Sequence, residues 1–473
     1  MWEEVRHGFG QERVWCRARN LALSSLVCLG RHTVTGLISA GGQQFQDWSA
    51  GYRLFSEGRF GSDVLFEATR RGIVCRLPES MPFVAAMDDT IVHKTGRKIP
   101  GVGYRRDPLG PPFRVNLIKG QRFIQISAAL PAGEMPTHAR MIPIDLIHAP
   151  TAKKPGKNAS EEDNQRYKKA QKQCNLSLQG VERIIKLRKD LDRDPAGADR
   201  PLLINVDGSY TNGTVLKKLP DRTILTGRIR KDAKFHYPVS ERDRKVNGRK
   251  RVYGDKAPTP EELRKDDSIP WKTVKVWAAG KEHHFDIKTL APLKWRTAGG
   301  THNLRLIVIR PLAYRPRKGA KLLYRKPAYL VCTDTKLPLE VILQAYVWRW
   351  DIEVNFRDEK QLMGVGEAQV RNLASVEKVP QFLVASYAML LLAATKAFGV
   401  AGTPDALPSP KWRKNMKSYR TSTQTLINIL RAEMWGRSMR TDNFSGFVPS
   451  QTKNKKPEKL EPDLASTVLY AVA

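Results

Sequence analysis

Tyr346-Val-Trp-Arg-Trp-Asp-Ile-Glu-Val-Asn-Phe-Arg-Asp-Glu-Lys360 is the stretch on which the reading of this chain turns. Residues Pro338 to Gly364 read as one strong helix. At about 100° per residue, Tyr346, Arg349, Glu353 and Lys360 fall in a single stripe about 60° wide. Alternating charge along one face can be no more than a solvated ladder of ion pairs. Here Trp348, Trp350, Ile352 and Phe356 flank the stripe, so much of the helix is expected to be packed. Charges on a partly buried surface are costly unless they serve a ligand or a metal.

Two other stretches carry apolar runs into carboxylates. Pro82-Phe-Val-Ala-Ala-Met-Asp-Asp-Thr90 and Arg200-Pro-Leu-Leu-Ile-Asn-Val-Asp-Gly208 both read as buried strands. Asp88 or Asp89, Asp207 and Glu353 can then present oxygens to a shared point. Three carboxylates without a Cys or His cluster describe an all-oxygen site for Mg2+ or Mn2+. Two such ions ~3.5–4 Å apart can activate a water and stabilise the leaving oxygen of a phosphodiester. A single Asp would say little, because Asp-Gly and Asp-Asp-Thr are also ordinary turn formers. His93 and the His283-His284 pair have no Cys at ligand spacing and are read as surface or DNA-facing. Gly101-Val-Gly-Tyr104 lacks the Lys-Ser/Thr of a phosphate-binding loop.

Composition agrees with a polyanionic partner. The 473 residues carry 81 Lys and Arg against 47 Asp and Glu, a formal charge of +34, spread over nearly the whole chain. Nucleic acid is the usual counterpart of such a surface. The basic runs 244–251 and 153–157 are expected to follow phosphates without reading bases. With 41% hydrophobic residues the chain can build real cores, which excludes wholesale disorder. Cys16, Cys28, Cys75, Cys174 and Cys332 never form a Cys-x-x-Cys pair, which argues against a disulfide framework and for a reducing compartment. Met1-Trp-Glu-Glu-Val-Arg6 has charges where a signal peptide needs an apolar core. The apolar run Phe382 to Thr395 falls short of the ~20 residues of a bilayer span and reads as a buried helix. A cytoplasmic, nucleoid-associated protein is expected.

The organisation reads in five parts. Residues 1–80 are helical, and two short helices there could form a DNA-binding helix-turn-helix or a cap packed on the catalytic domain. Residues 81–215 alternate strands and helices, the first part of an α/β core. Residues 216–330 are β-rich, with period two in Thr273-Val-Lys-Val-Trp277 and Leu304-Arg-Leu-Ile-Val-Ile-Arg310. Residues 331–400 return to the core with the Glu353 helix. Residues 401–473 form a C-terminal helical region and a Lys/Pro-rich tail, entered through a linker at 399–410.

Tyr-x2-Arg-x3-Glu-x6-Lys, joined to a strand-borne Asp-Asp-Thr and a later Asp-Gly-x-Tyr, resembles the DDE transposases of bacterial cut-and-paste insertion sequences. The likeness covers roughly residues 20–400. It implies a ribonuclease H-like catalytic fold with a β-rich insertion between the second Asp and the Glu. It also implies two Mg2+ or Mn2+ ions held by Asp89, Asp207 and Glu353. Asp88 competes with Asp89, since alternation along a strand lets only one of them face the metals. Asp89 is preferred because the family's acid directly precedes the Thr. Arg349 and Lys360 would grip phosphates, Tyr346 would donate to one, and Arg357 joins them as a DNA-binding residue. An insertion-domain aromatic that stacks a displaced base would fall on Tyr329, with Trp271, Trp277 and Trp295 as rivals. The implied activity is cleavage at the terminal inverted repeats of an element and joining of the 3′-OH ends to target DNA by a homodimer. A metal-dependent nuclease or resolvase of the same fold, or an inactive DNA-binding regulator, are the alternatives.

Overall fold

The structure, a computed structural model, describes residues 1–107, 110–111, 113–240, 251–317, 319–401 and 420–438. Residues 244–250 of one basic run, most of the 399–410 linker and the Lys/Pro-rich tail lie outside these. A 3-10 turn (Glu3–Gly8) leads into α1 (Glu12–Val27), α2 (Val34–Ala40), α3 (Ser49–Ser56) and α4 (Ser62–Val74). α2 starts where the Thr33 hydroxyl accepts from the Gly36 N–H at 3.0 Å, a side-chain N-cap. Then come β1 (Phe83–His93), β2 (Gly103–Arg106), β3 (Leu117–Pro131) and β4 (Ala139–His148). After them stand α5 (Glu161–Gln173), α6 (Leu176–Asp192), β5 (Leu202–Val206), α7 (Gly213–Leu216) and β6 (Thr223–Arg228).

These strands form a mixed sheet. β4, β3 and β1 run antiparallel in that order, and β1, β5 and β6 run parallel. All five residues of β5 are buried, as expected for a parallel strand with both faces covered. The central mixed sheet with its helices is compatible with the expected ribonuclease H-like core.

The β-rich part supplies β7 (His236–Pro238), β8 (Tyr253–Lys256), α8 (Pro260–Lys265), β9 (Lys272–Ala278) and β10 (Lys281–Leu293). β11 (Leu304–Ile309), β12 (Ala313–Tyr314), β13 (Leu323–Tyr324) and β14 (Ala328–Cys332) complete it. In this β-rich segment β7 with β8 and β12 with β13 form two small sheets of their own. β14 pairs with β6, and β11, β10 and β9 extend the core sheet outward from it. Period two explains why this works. Leu304, Leu306 and Val308 of β11 and Tyr329 and Val331 of β14 join one apolar cluster, closed by Leu263 of α8 and Phe235. Ile307, Ile309, Leu330 and Cys332, one residue out of step, join a cluster on the other face.

That second cluster includes Ile342 and Leu343 of α9 (Leu339–Trp348), which is succeeded by α10 (Asp351–Gln361), α11 (Leu373–Phe398) and α12 (Thr423–Ser438). The single helix expected over 338–364 is therefore two. At the junction the Arg349, Trp350, Ile352 and Glu353 N–H groups donate three residues back, to Tyr346, Val347, Arg349 and Trp350. That is 3-10 geometry, which winds more tightly than an α-helix. Side chains after the junction are rotated away from where a continuous α-helix would place them. α11 is long and apolar enough to cross a membrane, but 72% of its most apolar window is buried inside the protein. It is a core helix, sharing one apolar cluster with α1, α3, α4, β3, β4 and β5. The N-terminal helices thus pack directly on the catalytic core, as a cap would.

α10 buries a polar face. Asn355 Nδ2 donates to Ser127 Oγ at 3.0 Å, Gln125 Nε2 donates to Glu359 Oε1 at 2.9 Å, and Thr423 Oγ1 donates to Asp358 Oδ2 at 2.7 Å. Burial pushes the Glu359 carboxyl up to about 8, so it is neutral at pH 7. An unfolded chain releases this proton near a pKa of about 4.3. Folding therefore retains a proton between that value and about 8, and stability falls as pH rises across the window. Glu359→Gln should keep the bond from Gln125 and flatten that part of the slope. Urea-unfolding midpoints of both proteins from pH 5 to pH 8.5 check this, and parallel curves would refute it.

Candidate active site

β1 and β5 pair in parallel from Phe83↔Leu202 to Met87↔Val206. The next residue on each chain is Asp88 and Asp207. Laterally paired residues point to the same face of a sheet, so the register puts these two acids side by side. Asp88 is also paired with Gln125 of β3. Gln125 and Ser127 carry the hydrogen bonds to Glu359 and Asn355, so α10 covers this same face. Arg349, at the α9–α10 junction, reaches down with Nη1 3.5 Å from Asp88 Oδ2. Burial pushes the Asp88 carboxyl up to about 7; Asp207 adds to the rise, while the Asp89 N–H and Arg349 oppose it. A buried carboxyl raised in this way beside a second acid is the kind of pair that a cation would relieve. Asp207 is aimed by its own loop, accepting from Ser209 N–H at 2.8 Å and Ser209 Oγ at 3.2 Å.

Asp89 points the other way. Its Oδ1 accepts from the Tyr210 hydroxyl at 3.1 Å, and Arg122 Nε stands 3.3 Å from its Oδ2. Burial raises this carboxyl and Arg122 opposes the rise. Tyr210 is fully buried against α6, where a side chain at Gly180 would strike its ring at 2.7 Å. Of the two acids, the register thus puts Asp88, and not the preferred Asp89, beside Asp207 and Arg349.

Glu353 lies on α10, four residues past Arg349, exposed and without a hydrogen bond or ion pair among the described residues. Glu353 thus comes in the first turn after the junction that carries Arg349, the arginine that touches Asp88. Among the described residues no three Asp, Glu, His or Cys side chains already stand within reach of one ion. The donor set still fits a hard divalent cation: two oxygen ligands on adjacent strands, one with a raised carboxyl, and a third carboxylate on the covering helix.

The remaining expected residues divide. Tyr346 is half-buried beneath Arg349, whose guanidinium lies 5.4 Å from its ring centroid, and burial raises its hydroxyl. Arg349 Nε is buried with no hydrogen-bond partner, leaving a donor to spare. Lys360 is exposed at the far end of α10. Arg357 is exposed too, but its fork is held by Asp358 at 2.9 and 3.1 Å. Tyr329 does not present its ring. It is only 7% exposed, and its hydroxyl donates to Glu261. Trp271 lies under Lys288 and Arg310, and Trp295 packs on Phe235. Trp277 is partly buried, its backbone N–H donating to Gln344 at 2.7 Å. The aromatic that sequence reasoning passed over is Trp350. Counted as packing, it is 64% exposed, directly after Arg349. Its place in the tight junction turns it outward, which a uniform helical wheel conceals.

Residues 4–301 match the family model described as DDE superfamily endonuclease. No curated protein matches the chain significantly. The family match includes Asp88, Asp89 and Asp207 and stops before α9, so the place of Glu353 rests on the geometry above. More than half the chain is covered, the matched part contains the paired acids of the sheet, and the chain belongs to the DDE superfamily endonucleases.

Proposed function

We propose that the chain is a DNA transposase that binds the terminal inverted repeats of its element, cleaves at the ends and joins the 3′-OH ends to target DNA. One observation carries the reading: Asp88 and Asp207 lie side by side on the sheet face covered by the helices of Arg349 and Glu353. Asp88, Asp207 and Glu353 are the residues that would hold two Mg2+ or Mn2+ ions, with Asp88 in place of Asp89. Bound there, the ions supply an activated water and the charge that steadies a leaving oxygen.

The chain's own groups do the positioning. Arg349 offers a planar fork, with Nε still unpartnered, to a phosphate beside the scissile bond. Tyr346 underlies that guanidinium, and its hydroxyl is a donor for the same phosphate. Lys360 adds a point charge further along α10. Trp350 replaces Tyr329 as the exposed ring on which a base can stack. Asp89 acts indirectly: with Tyr210 and Arg122 it ties β1 to β3 and to the loop that carries Asp207. The two ends of an element must be cut and joined in concert, which supports a homodimer in the synaptic complex. The N-terminal helices are candidates for binding those ends. A second reading, a nuclease that hydrolyses without joining, is favoured by the description of the matched family as endonucleases.

A linear DNA carrying the gene's flanking sequences, a supercoiled plasmid and Mg2+ separate the two readings. Joined strand-transfer product is expected; cut DNA without it leaves the nuclease. Glu353→Gln should lower cleavage by about a thousandfold or more, as loss of a group acting in the transition state does. Cleavage that survives it would place the third acid elsewhere.

Titration calorimetry with Mn2+ distinguishes the neighbouring acids. Asp88→Asn should abolish binding. Asp89→Asn should bind Mn2+ yet melt at lower temperature, because Arg122 loses its counter-charge. The reverse pattern restores Asp89 as the ligand.

A further inference from the structure

We propose that the β2–β3 hairpin is a ribbon that enters a groove of duplex DNA several base pairs from the cutting site. The proposal rests on the DNA-acting reading above and adds a contact which that reading does not contain.

β3 changes character along its length. Ile124, Ile126 and Ala128 are buried in the core sheet. β1 ends opposite Gly120 at His93, and its neighbour Lys94 makes one more backbone bond, to the Lys119 carbonyl at 3.1 Å; at Ile118 and Leu117 β3 pairs with β2. The two strands therefore run on as a ribbon, closed by the Asp107 N–H donating to the Asn116 carbonyl at 2.8 Å. On this ribbon the apolar side chains face solvent. Tyr104 is 72% exposed, Phe113 90%, Val115 74% and Leu117 56%. An exposed apolar group of this kind marks an interaction surface.

Charge selects the partner. Arg114 lies on the ribbon, and Arg97 and Lys98 lie on the loop before it, all exposed. The acid on the ribbon is Asp107, bonded to Asn116 Nδ2 at 3.4 Å. A two-fold contact between copies would bring the same patch against itself and set these cations face to face. A phosphate backbone satisfies them instead. A two-stranded ribbon fits the major groove, which is about 12 Å wide. Phe113 is shaped for apolar contact with base edges or a base step.

Placement ties the ribbon to the chemistry. Asp88 pairs with Gln125, and Leu117 lies eight residues earlier on the same strand. At ~3.3 Å per residue this is about 26 Å, or roughly eight base steps of duplex. A duplex with its scissile phosphate at Asp88 and Asp207 reaches the ribbon if it runs along β3.

Full-length protein in EDTA, titrated into a fluorescein-labelled duplex of about 40 base pairs at 50–200 mM salt, tests this without catalysis. Phe113→Ala should weaken binding about tenfold, within the ~1–3 kcal/mol of an aromatic–base contact. Arg97→Ala with Arg114→Ala should reduce the salt slope by about two. Both sites are exposed, so melting temperatures should not change. Wild-type affinity and slope in both variants would overturn the proposal and leave the DNA-acting reading standing. Intact binding with a smaller particle by light scattering would make the ribbon a seam between copies and also overturn it. A wild-type protein that ignores the duplex would defeat both.

Discussion

Two like charges in a dry place set the terms for this molecule. Asp88 and Asp207 lie just past a parallel strand pairing whose residues are buried, and Asp207 adds to the cost of ionising Asp88. Such a pair persists only where the surroundings compel it. The compulsion is the apolar sheet: Leu202 to Val206 of β5 and Phe83 to Met87 of β1 are buried, and their pairing register admits no slip without exposing that row. Hydrophobic burial holds the acids together, and the acids create the demand for a cation.

Everything else at the site answers that charge. Arg349 meets Asp88 from above, while Arg122 and Tyr210 meet Asp89 from the other side. Neighbouring acids therefore take opposite faces, one beside Asp207 and Arg349 and the other held by Tyr210 and Arg122. The helix junction at Arg349 and Trp350 serves the same end. Its tight winding sends a guanidinium inward and an indole outward within two residues. The buried polar contacts of α10 with Gln125 and Ser127 hold that helix over this face of the sheet, with Glu353 exposed on it.

Much of this was legible in the residues alone. The buried cores of β1 and β5 show as apolar runs, because burial of both faces leaves no alternation to blur them, although β1 continues past Asp89 to His93. The helical character around Tyr346, Arg349, Glu353 and Lys360 was visible because helical spacing is local, but their single stripe assumed a continuous helix that the junction interrupts. What depended on pairing was not. Asp88 and Asp89 differ only in which face they take, and that face is decided by strand β5, more than a hundred residues away. The β-rich segment showed its strands through period two, but not that β14 would dock on β6 and continue the core sheet. Trp350 was misread because a helical wheel assumes uniform winding. Tyr329 sits near the strand end that the resemblance implies, yet its hydroxyl found Glu261 in the interior.

The central claim is that Asp88, Asp207 and Glu353, and not Asp89, form the metal-binding face. A crystal of the protein grown with Mn2+ and measured at the manganese absorption edge tests it most directly. The account predicts an anomalous peak bonded to Asp88 and Asp207, with Glu353 turned toward it and Tyr210 still on Asp89. A peak bonded to Asp89 with Asp88 left on Arg349 would contradict it.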